Sequence, residues 1–324
     1  MTDTPAAVRG QHSQAARQVV GALEALIPGQ RHAIDGLMTA YLAGGHALLE
    51  GVPGVGKTLL ARCLAASLGL TFSRIQFTPD LMPTDLIGAN VFDPRSGTFR
   101  LVKGPVFSEI LMTDEINRTP PKTQSALLEA MQERQVTIDT TTHDLPPGFF
   151  VVATQNPVEF EGTYPLPEAQ LDRFLLRVDM GLPDEKTEME IYRRAAAGEL
   201  AGWGQRNLPP AVVTPEQARA LRTASTTIHV APEVLDYLAR LAKAVRRSPH
   251  VELGVSPRAV LSLLEAARAA ALLADRDFVL PDDIKSTLVP AWAHRLVLTA
   301  EAELEGHTPR ALLGDVERAV EVPR

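Results

Sequence analysis

The eight residues GVPGVGKT, Gly51 to Thr58, constrain the fold more than any other stretch of this 324-residue chain. They fill every fixed position of the pattern G-x-x-x-x-G-K-[ST], whose glycines let the backbone curl until several N–H groups point at one anion. In such a loop Lys57 reaches the outer phosphates of a nucleotide and the Thr58 hydroxyl ligates Mg²⁺. The motif needs a strand before it and a helix after it. HALLEG, His46 to Gly51, is an apolar run with an abrupt glycine end, and TLLARCLAASLG, Thr58 to Gly69, spaces Leu and Ala as a helix does. The plain alternative, a glycine-rich turn that binds nothing, leaves that order of elements unexplained.

Four more apolar runs alternate with helical segments: FSRIQF (Phe72 to Phe77), SEILMTDE (Ser108 to Glu115), FFVVATQNP (Phe149 to Pro157) and FLLRVDM (Phe174 to Met180). That alternation predicts an α/β fold, a P-loop αβα core with a mainly parallel sheet covered on both faces. After GLPDE, Gly181 to Glu185, the pattern turns almost wholly helical, with helices over Ala231 to Ser248 and Ser256 to Ala274. The glycines and prolines of Ala195 to Gln217 mark a connector. Two hairpins are expected, one from the SG turn in PRSGTFRLVKGPVF and one from the alternating Val136 and Ile138 of ERQVTIDTTTHDLPPGFF. The expected organisation is a nucleotide-binding core over 1–182, with hairpin insertions about 78–105 and 133–148, a connector over 183–210, and a small all-α lid over 211–324.

The run SEILMTDE ends in Asp114-Glu115, where parallel strands open towards a ligand. Asp114 is the expected second Mg²⁺ residue beside Thr58, mostly through water, and Glu115 the group that polarises an attacking water. Acidic strand ends commonly just cap the next helix. Here the pair falls roughly 55 residues beyond the loop, a separation that two intervening elements of P-loop topology account for. Asn156 is a polar residue at the tip of the next apolar run, although Asn-Pro also commonly starts a turn.

Composition narrows the classes. A formal net charge of −7 argues against general attraction to nucleic acid phosphates, while leaving room for a local basic surface. No apolar run approaches a membrane span, the N-terminal residues lack the apolar core of a secretion signal, and Cys63, the single cysteine, forms no internal disulfide. A cytoplasmic location is the expectation. The eight histidines show no metal-ligand spacing, and Ser108 and Ser125 lack the G-x-S-x-G setting of a hydrolase nucleophile. Trp203 and Trp292 read as packing anchors and Cys63 as a small buried residue.

The order of these motifs resembles the AAA+ ATPases, and more closely their MoxR group. The phrases that carry the resemblance are GVPGVGKT, QFTPDLMPTDLIG (Gln76 to Gly88), GPVF (Gly104 to Phe107), DEINR (Asp114 to Arg118), KTQSALLEAMQE (Lys122 to Glu133), ATQNP (Ala153 to Pro157) and LPEAQLDRF (Leu166 to Phe174). They lie within about residues 20 to 300, in the family's order. The resemblance implies ATP and Mg²⁺ as cofactors, with Gly51, Pro53, Gly54, Val55, Gly56, Lys57, Thr58 and Leu59 around the nucleotide and Gln30 of a Gly-Gln element near its base. It makes Asn156 a sensor of the terminal phosphate, Arg173 of LDRF a finger into a neighbouring subunit's site, and Arg258 of GVSPRA a second sensor. Whether Arg258 serves its own or a neighbouring subunit stays open. An ion pair with Asp172 would also explain Arg173, and a plain surface role would explain Arg258.

The resemblance further implies a ring oligomer, usually a hexamer, that hydrolyses ATP to ADP and phosphate. The work done is maturation or assembly of protein clients, often with a partner carrying a von Willebrand factor A domain. The hairpins would project into or over the ring pore, with Arg95, Arg100, Lys103 and His143 as contacts. A nucleic-acid-remodelling motor and a slow-cycling nucleotide-dependent scaffold are the two rivals. The net charge argues against the first, and Glu115, Asn156 and Arg173 argue against the second.

Overall fold

The computed structural model describes residues 5–155, 164–198 and 208–323. Asn156 and Trp203 lie outside the described residues. Five strands, β1 (Ala47–Glu50), β2 (Phe72–Gln76), β3 (Ile110–Asp114), β4 (Phe150–Gln155) and β5 (Leu176–Asp179), form one parallel sheet in the order β2-β3-β4-β1-β5. β1 lies between β4 and the edge strand β5, with Leu49 beside Thr154 of β4 and Val178 of β5.

Because successive strand side chains point to opposite faces, each apolar run feeds two cores. Leu49, Met112, Val152 and Val178 pack into one, together with the helices Arg31–Leu42 and Lys57–Ser67. Leu48, Leu111, Val151 and Ala153 pack into the other, under the helix Pro121–Glu133 and the hairpin residues Val136 and Ile138. This two-sided burial explains why β1, β3 and β4 read as nearly unbroken apolar runs, whereas the edge strands β2 and β5 carry Arg74 and Arg177. The first core continues into the C-terminal helices through Leu241, Leu263, Leu288 and Leu313. Cys63 and Trp292 are fully buried in it, and the Trp292 indole donates to Ala259 O at 2.9 Å.

Two antiparallel hairpins interrupt the αβα order. Gly88–Asp93 pairs with Thr98–Lys103, and Gln135–Ile138 pairs with Thr141–Asp144 around a two-residue turn in which Asp139 has φ 55°. Asn90 Nδ2 donates to Asp139 Oδ2 at 2.8 Å and ties the two hairpins together. The C-terminal half contains helices Pro215–Thr226, Pro232–Arg247, Pro257–Leu273, Pro281–Trp292 and Pro309–Ala319. It also contains a ribbon, Val251–Leu253 against Val297–Leu298, too short to leave a period-two signal in a stretch that reads as helical.

Two histidines are walled into the interior. His46 is 3% exposed, accepting from Val151 N at Nδ1 (2.9 Å) and meeting Met131 O at Nε2 (3.1 Å), and His294 is 5% exposed against Phe174 O. Burial pushes both imidazoles well below the ordinary histidine range, with Arg134 adding to the effect at His46 and Arg295 at His294. Each therefore stays neutral in the folded chain and takes a proton when unfolded. Stability from this source is present above about pH 6.5 and is lost as pH falls below it, by up to about 1.4 kcal/mol per pH unit for each histidine. Denaturant titrations between about pH 7.5 and pH 5 should show that decline, and His294→Gln should make it shallower by about one proton. An unchanged slope in His294→Gln would contradict the assignment.

Candidate active site

Met180 N, just past β5, donates to Glu50 O at 2.7 Å, so the chain leaves β1 through a crowded edge. A Cβ on Gly51 would fall 2.3 Å from Met180 O, which leaves glycine as the residue that fits. Gly56 takes φ 96° and ψ 18°, a left-handed turn that starts the helix Lys57–Ser67. A helix N-terminus at the end of a curled loop presents N–H groups and a positive dipole end to an anion. Val55 packs against the first core and anchors the loop, while Pro53 and Gly54 stay exposed. Lys57 Nζ donates to Gly51 O at 2.6 Å and Val52 O at 3.0 Å. Burial lowers the Lys57 pKa, and the carboxylates of Asp114 and Glu115 oppose that shift.

The loop faces a cleft of about 420 Å³. Pro53, Gly54, Gly56, Lys57, Thr58, Leu59 and Arg62 line it from the loop and its helix; Arg74, Gln76, Asp114, Glu115, Thr154 and Gln155 line it from the ends of β2, β3 and β4. Asp114 is 7% exposed, its Oδ2 accepting from Arg74 Nε at 2.5 Å and its Oδ1 from the Thr154 hydroxyl at 3.3 Å. The same Thr154 oxygen accepts from Glu115 N at 2.9 Å. Glu115 has φ 57° and ψ 54°, a left-handed backbone uncommon for a side-chain-bearing residue and concentrated at functional sites. That turn separates the two carboxylates: Asp114 stays in strand register, while Glu115 Oε2 accepts from Gln76 Nε2 at 2.8 Å and Arg118 Nη1 at 3.0 Å.

The donor chemistry fits a hard divalent cation. Thr58 and Asp114 offer hydroxyl and carboxylate oxygens in one cleft, the set Mg²⁺ prefers, and Lys57, Arg62 and Arg74 add positive charge for a polyphosphate. The sequence motifs give no role to Arg74, Gln76, Arg118 or Thr154, although Gln76, Arg118 and Thr154 lie within the phrases that carry the resemblance. Gln76 and Thr154 were open to detection as polar residues near the ends of apolar runs. Gln30 does not line the cleft; its Nε2 donates to Gly181 O at 2.8 Å, joining the start of the helix Arg31–Leu42 to the segment after β5.

Arg173 and Arg258 line a different cavity, of about 190 Å³, with Gly45, His46, Arg134, Asp172 and Arg295. Gly45 and His46 precede β1, whereas Gly51 follows it. The two cavities therefore sit at opposite ends of the parallel strands. Asp172 lies 2.7 Å from Arg295 Nε, so among the described residues its carboxylate pairs with Arg295 and not with Arg173. Arg295 also donates to Ala291 O (2.6 Å), Phe174 O (2.8 Å) and Asp172 O (3.0 Å), and burial lowers its pKa to about 10. It pins the segment carrying Arg173 to the helical half.

Thr154 is the shared partner of both acidic residues, so Thr154→Val leaves the Glu115 amide without its acceptor and Asp114 without one donor. The expected loss is about 1–3 kcal/mol of unfolding free energy in nucleotide-free protein, measured by denaturant titration. A change below about 0.5 kcal/mol would contradict the network.

Comparison with known proteins gives a consistent picture. Residues 46–176 match the model of the ATPase family associated with various cellular activities (AAA), and residues 243–316 match an AAA lid domain. The uncharacterized protein YeaC of Bacillus subtilis is 45% identical over 286 residues, 88% of each chain. Chaperone MoxR1 of Mycobacterium tuberculosis is 40% identical over 319 residues, 92% of this chain and 80% of the relative. A crystal structure of a candidate ATPase from Cytophaga hutchinsonii superposes with a TM-score of 0.88 at 38% identity, covering 98% of both chains. With the motif order, the parallel sheet and the helical C-terminal half all in agreement, the chain belongs to the MoxR family of AAA+ ATPases.

Proposed function

We propose that the cleft binds ATP with Mg²⁺, hydrolyses it to ADP and phosphate, and is completed by a neighbouring copy of the chain in a ring. The observation that carries this reading is the separation of the two cavities. β1 is four residues long, so the loop and the arginine cavity stand at least roughly 13 Å apart along the strand. An arginine side chain does not cross that distance within one subunit. A heterologous, head-to-tail contact around a ring brings the arginine face of one copy against the cleft of the next.

In this reading Lys57 and the loop N–H groups hold the phosphates, and Asn156 orients the terminal one. Thr58 and Asp114 would hold Mg²⁺, which would supply charge neutralisation at the phosphate oxygens. Glu115 polarises the attacking water, its carboxylate held by Gln76 and Arg118. Arg173 and Arg258 of the neighbour stabilise charge on the transferred phosphoryl group. Gln30, bonded to Gly181 O, acts on the base side by fixing the segment after β5. Residues 1–182 form the nucleotide core and 211–324 the lid, with 183–210 as the connector between them.

The output is remodelling of protein clients. The name of the relative MoxR1, a chaperone, supports a protein client, and family resemblance alone supports a hexamer and a von Willebrand factor A domain partner. No helix among the described residues is long and apolar enough to cross a membrane, in keeping with work in the cytoplasm. Glu115→Gln should retain ATP binding by equilibrium fluorescence while steady-state phosphate release falls about 100-fold or more. Lys57→Ala should lose ATP binding itself. Near-normal turnover in Glu115→Gln would overturn the role given to the cleft.

A further inference from the structure

We infer that His250, Glu305 and His307 form a binding site for one divalent transition-metal ion in the helical half of the molecule. One ligand atom from each lies within 4.8 Å of the other two. The two imidazole rings sit 4.4 Å apart, centroid to centroid, with their planes at 35°, and Glu305 Oε2 is 3.4 Å from His307 Nε2. Spacing along the chain gives no hint of this, because the fold alone joins two histidines on either side of the last ribbon.

The backbone holds both segments in place before any ion arrives. The Val251–Leu253 ribbon pairs with Val297–Leu298, and Thr299 N donates to His250 O at 3.0 Å. The short helix Ala300–Leu304 then ends in a paired cap, with Gly306 N bonded to Glu303 O and His307 N to Ala302 O, both at 3.0 Å. Gly306 has φ 83°, which suits glycine and turns His307 back towards His250. The liganding groups thus hang from two fixed strands of chain. Placing the three donors about 2.1 Å from one ion calls for their ligand atoms to draw closer than the 4.8 Å within which they now lie.

The donor set selects the ion class. Two nitrogens and one carboxylate suit Zn²⁺, Co²⁺ or Ni²⁺, whereas Mg²⁺ and Ca²⁺ favour all-oxygen sites. Neutral imidazoles each bring a lone pair and the carboxylate brings several, so three acceptors converge and one cation satisfies them together. The two histidines are half-buried and Glu305 is exposed, leaving solvent access for entry and a water ligand. A bound ion would cross-link the segment after the helix Pro232–Arg247 to the segment before the helix Pro309–Ala319.

The test uses the full chain, freed of metal by chelator, with excess Mg²⁺ present to occupy the oxygen-donor cleft. Calorimetric titration with ZnCl₂ should give one saturable site, weakened about 100-fold or more by His250→Ala or His307→Ala and about tenfold by Glu305→Gln. His32→Ala should leave it unchanged. Co²⁺ bound to the unaltered protein should show visible absorption bands of a nitrogen-ligated, four- or five-coordinate ion, and Zn²⁺ should raise its thermal midpoint but not that of the double variant carrying both His250→Ala and His307→Ala. Undiminished Zn²⁺ binding in the double variant overturns the proposal. So does the absence of saturable binding, or of those Co²⁺ bands, in the unaltered protein, whatever the folding of the variants.

Discussion

The parallel direction of the five strands governs the rest of the structure. Every strand enters the sheet from the same end, so everything that follows a strand gathers at one edge and everything that precedes a strand gathers at the other. The phosphate loop follows β1, and Asp114 and Glu115 end β3 and follow it; His46 precedes β1, and Arg173 precedes β5. The chemistry is thereby divided between two edges. No local rearrangement of side chains reunites it within one chain, which makes assembly a physical requirement of the proposed site.

Each edge is built to tolerate charge. At the acidic edge Thr154 serves both Asp114 and Glu115, while Arg74 donates to Asp114 Oδ2 and Gln76 and Arg118 to Glu115 Oε2. At the basic edge four arginines share a small cavity with one carboxylate, Asp172, and that carboxylate is taken by buried Arg295. Arg134 is likewise committed, donating to Gly44 O and Phe149 O. A cavity with such an excess of positive charge attracts an anion. In the proposed ring, the polyphosphate held by a neighbouring copy would be that anion.

Much of this was legible in the sequence because its signals are local. A glycine-lysine-threonine loop between an apolar run and a helical run, and an Asp-Glu pair ending another run, each carry their meaning within a dozen residues. The three inner strands were visible for the same reason, since burial on both faces makes them nearly continuous apolar runs, while the edge strands β2 and β5 showed only as shorter, interrupted ones. The remainder depends on tertiary approach. Arg295 reads as an ordinary helix-end arginine until its bonds to Phe174 O and Asp172 O are seen. Gln30 carries a family role in sequence, yet its position is set by Gly181, far along the chain. His250 and His307 meet only because a ribbon of two or three residues brings their segments together, too little chain to register as strand.

The central claim is that one catalytic site is shared between two copies. Its most direct measurement is ATP turnover in mixtures of Lys57→Ala and Arg173→Ala proteins, each inactive alone, after tagged co-purification has shown that they assemble together. A shared site predicts recovery that peaks near equal amounts, at about a quarter of the unaltered rate for random mixing around a ring. No recovery at any ratio in co-assembled protein would contradict it.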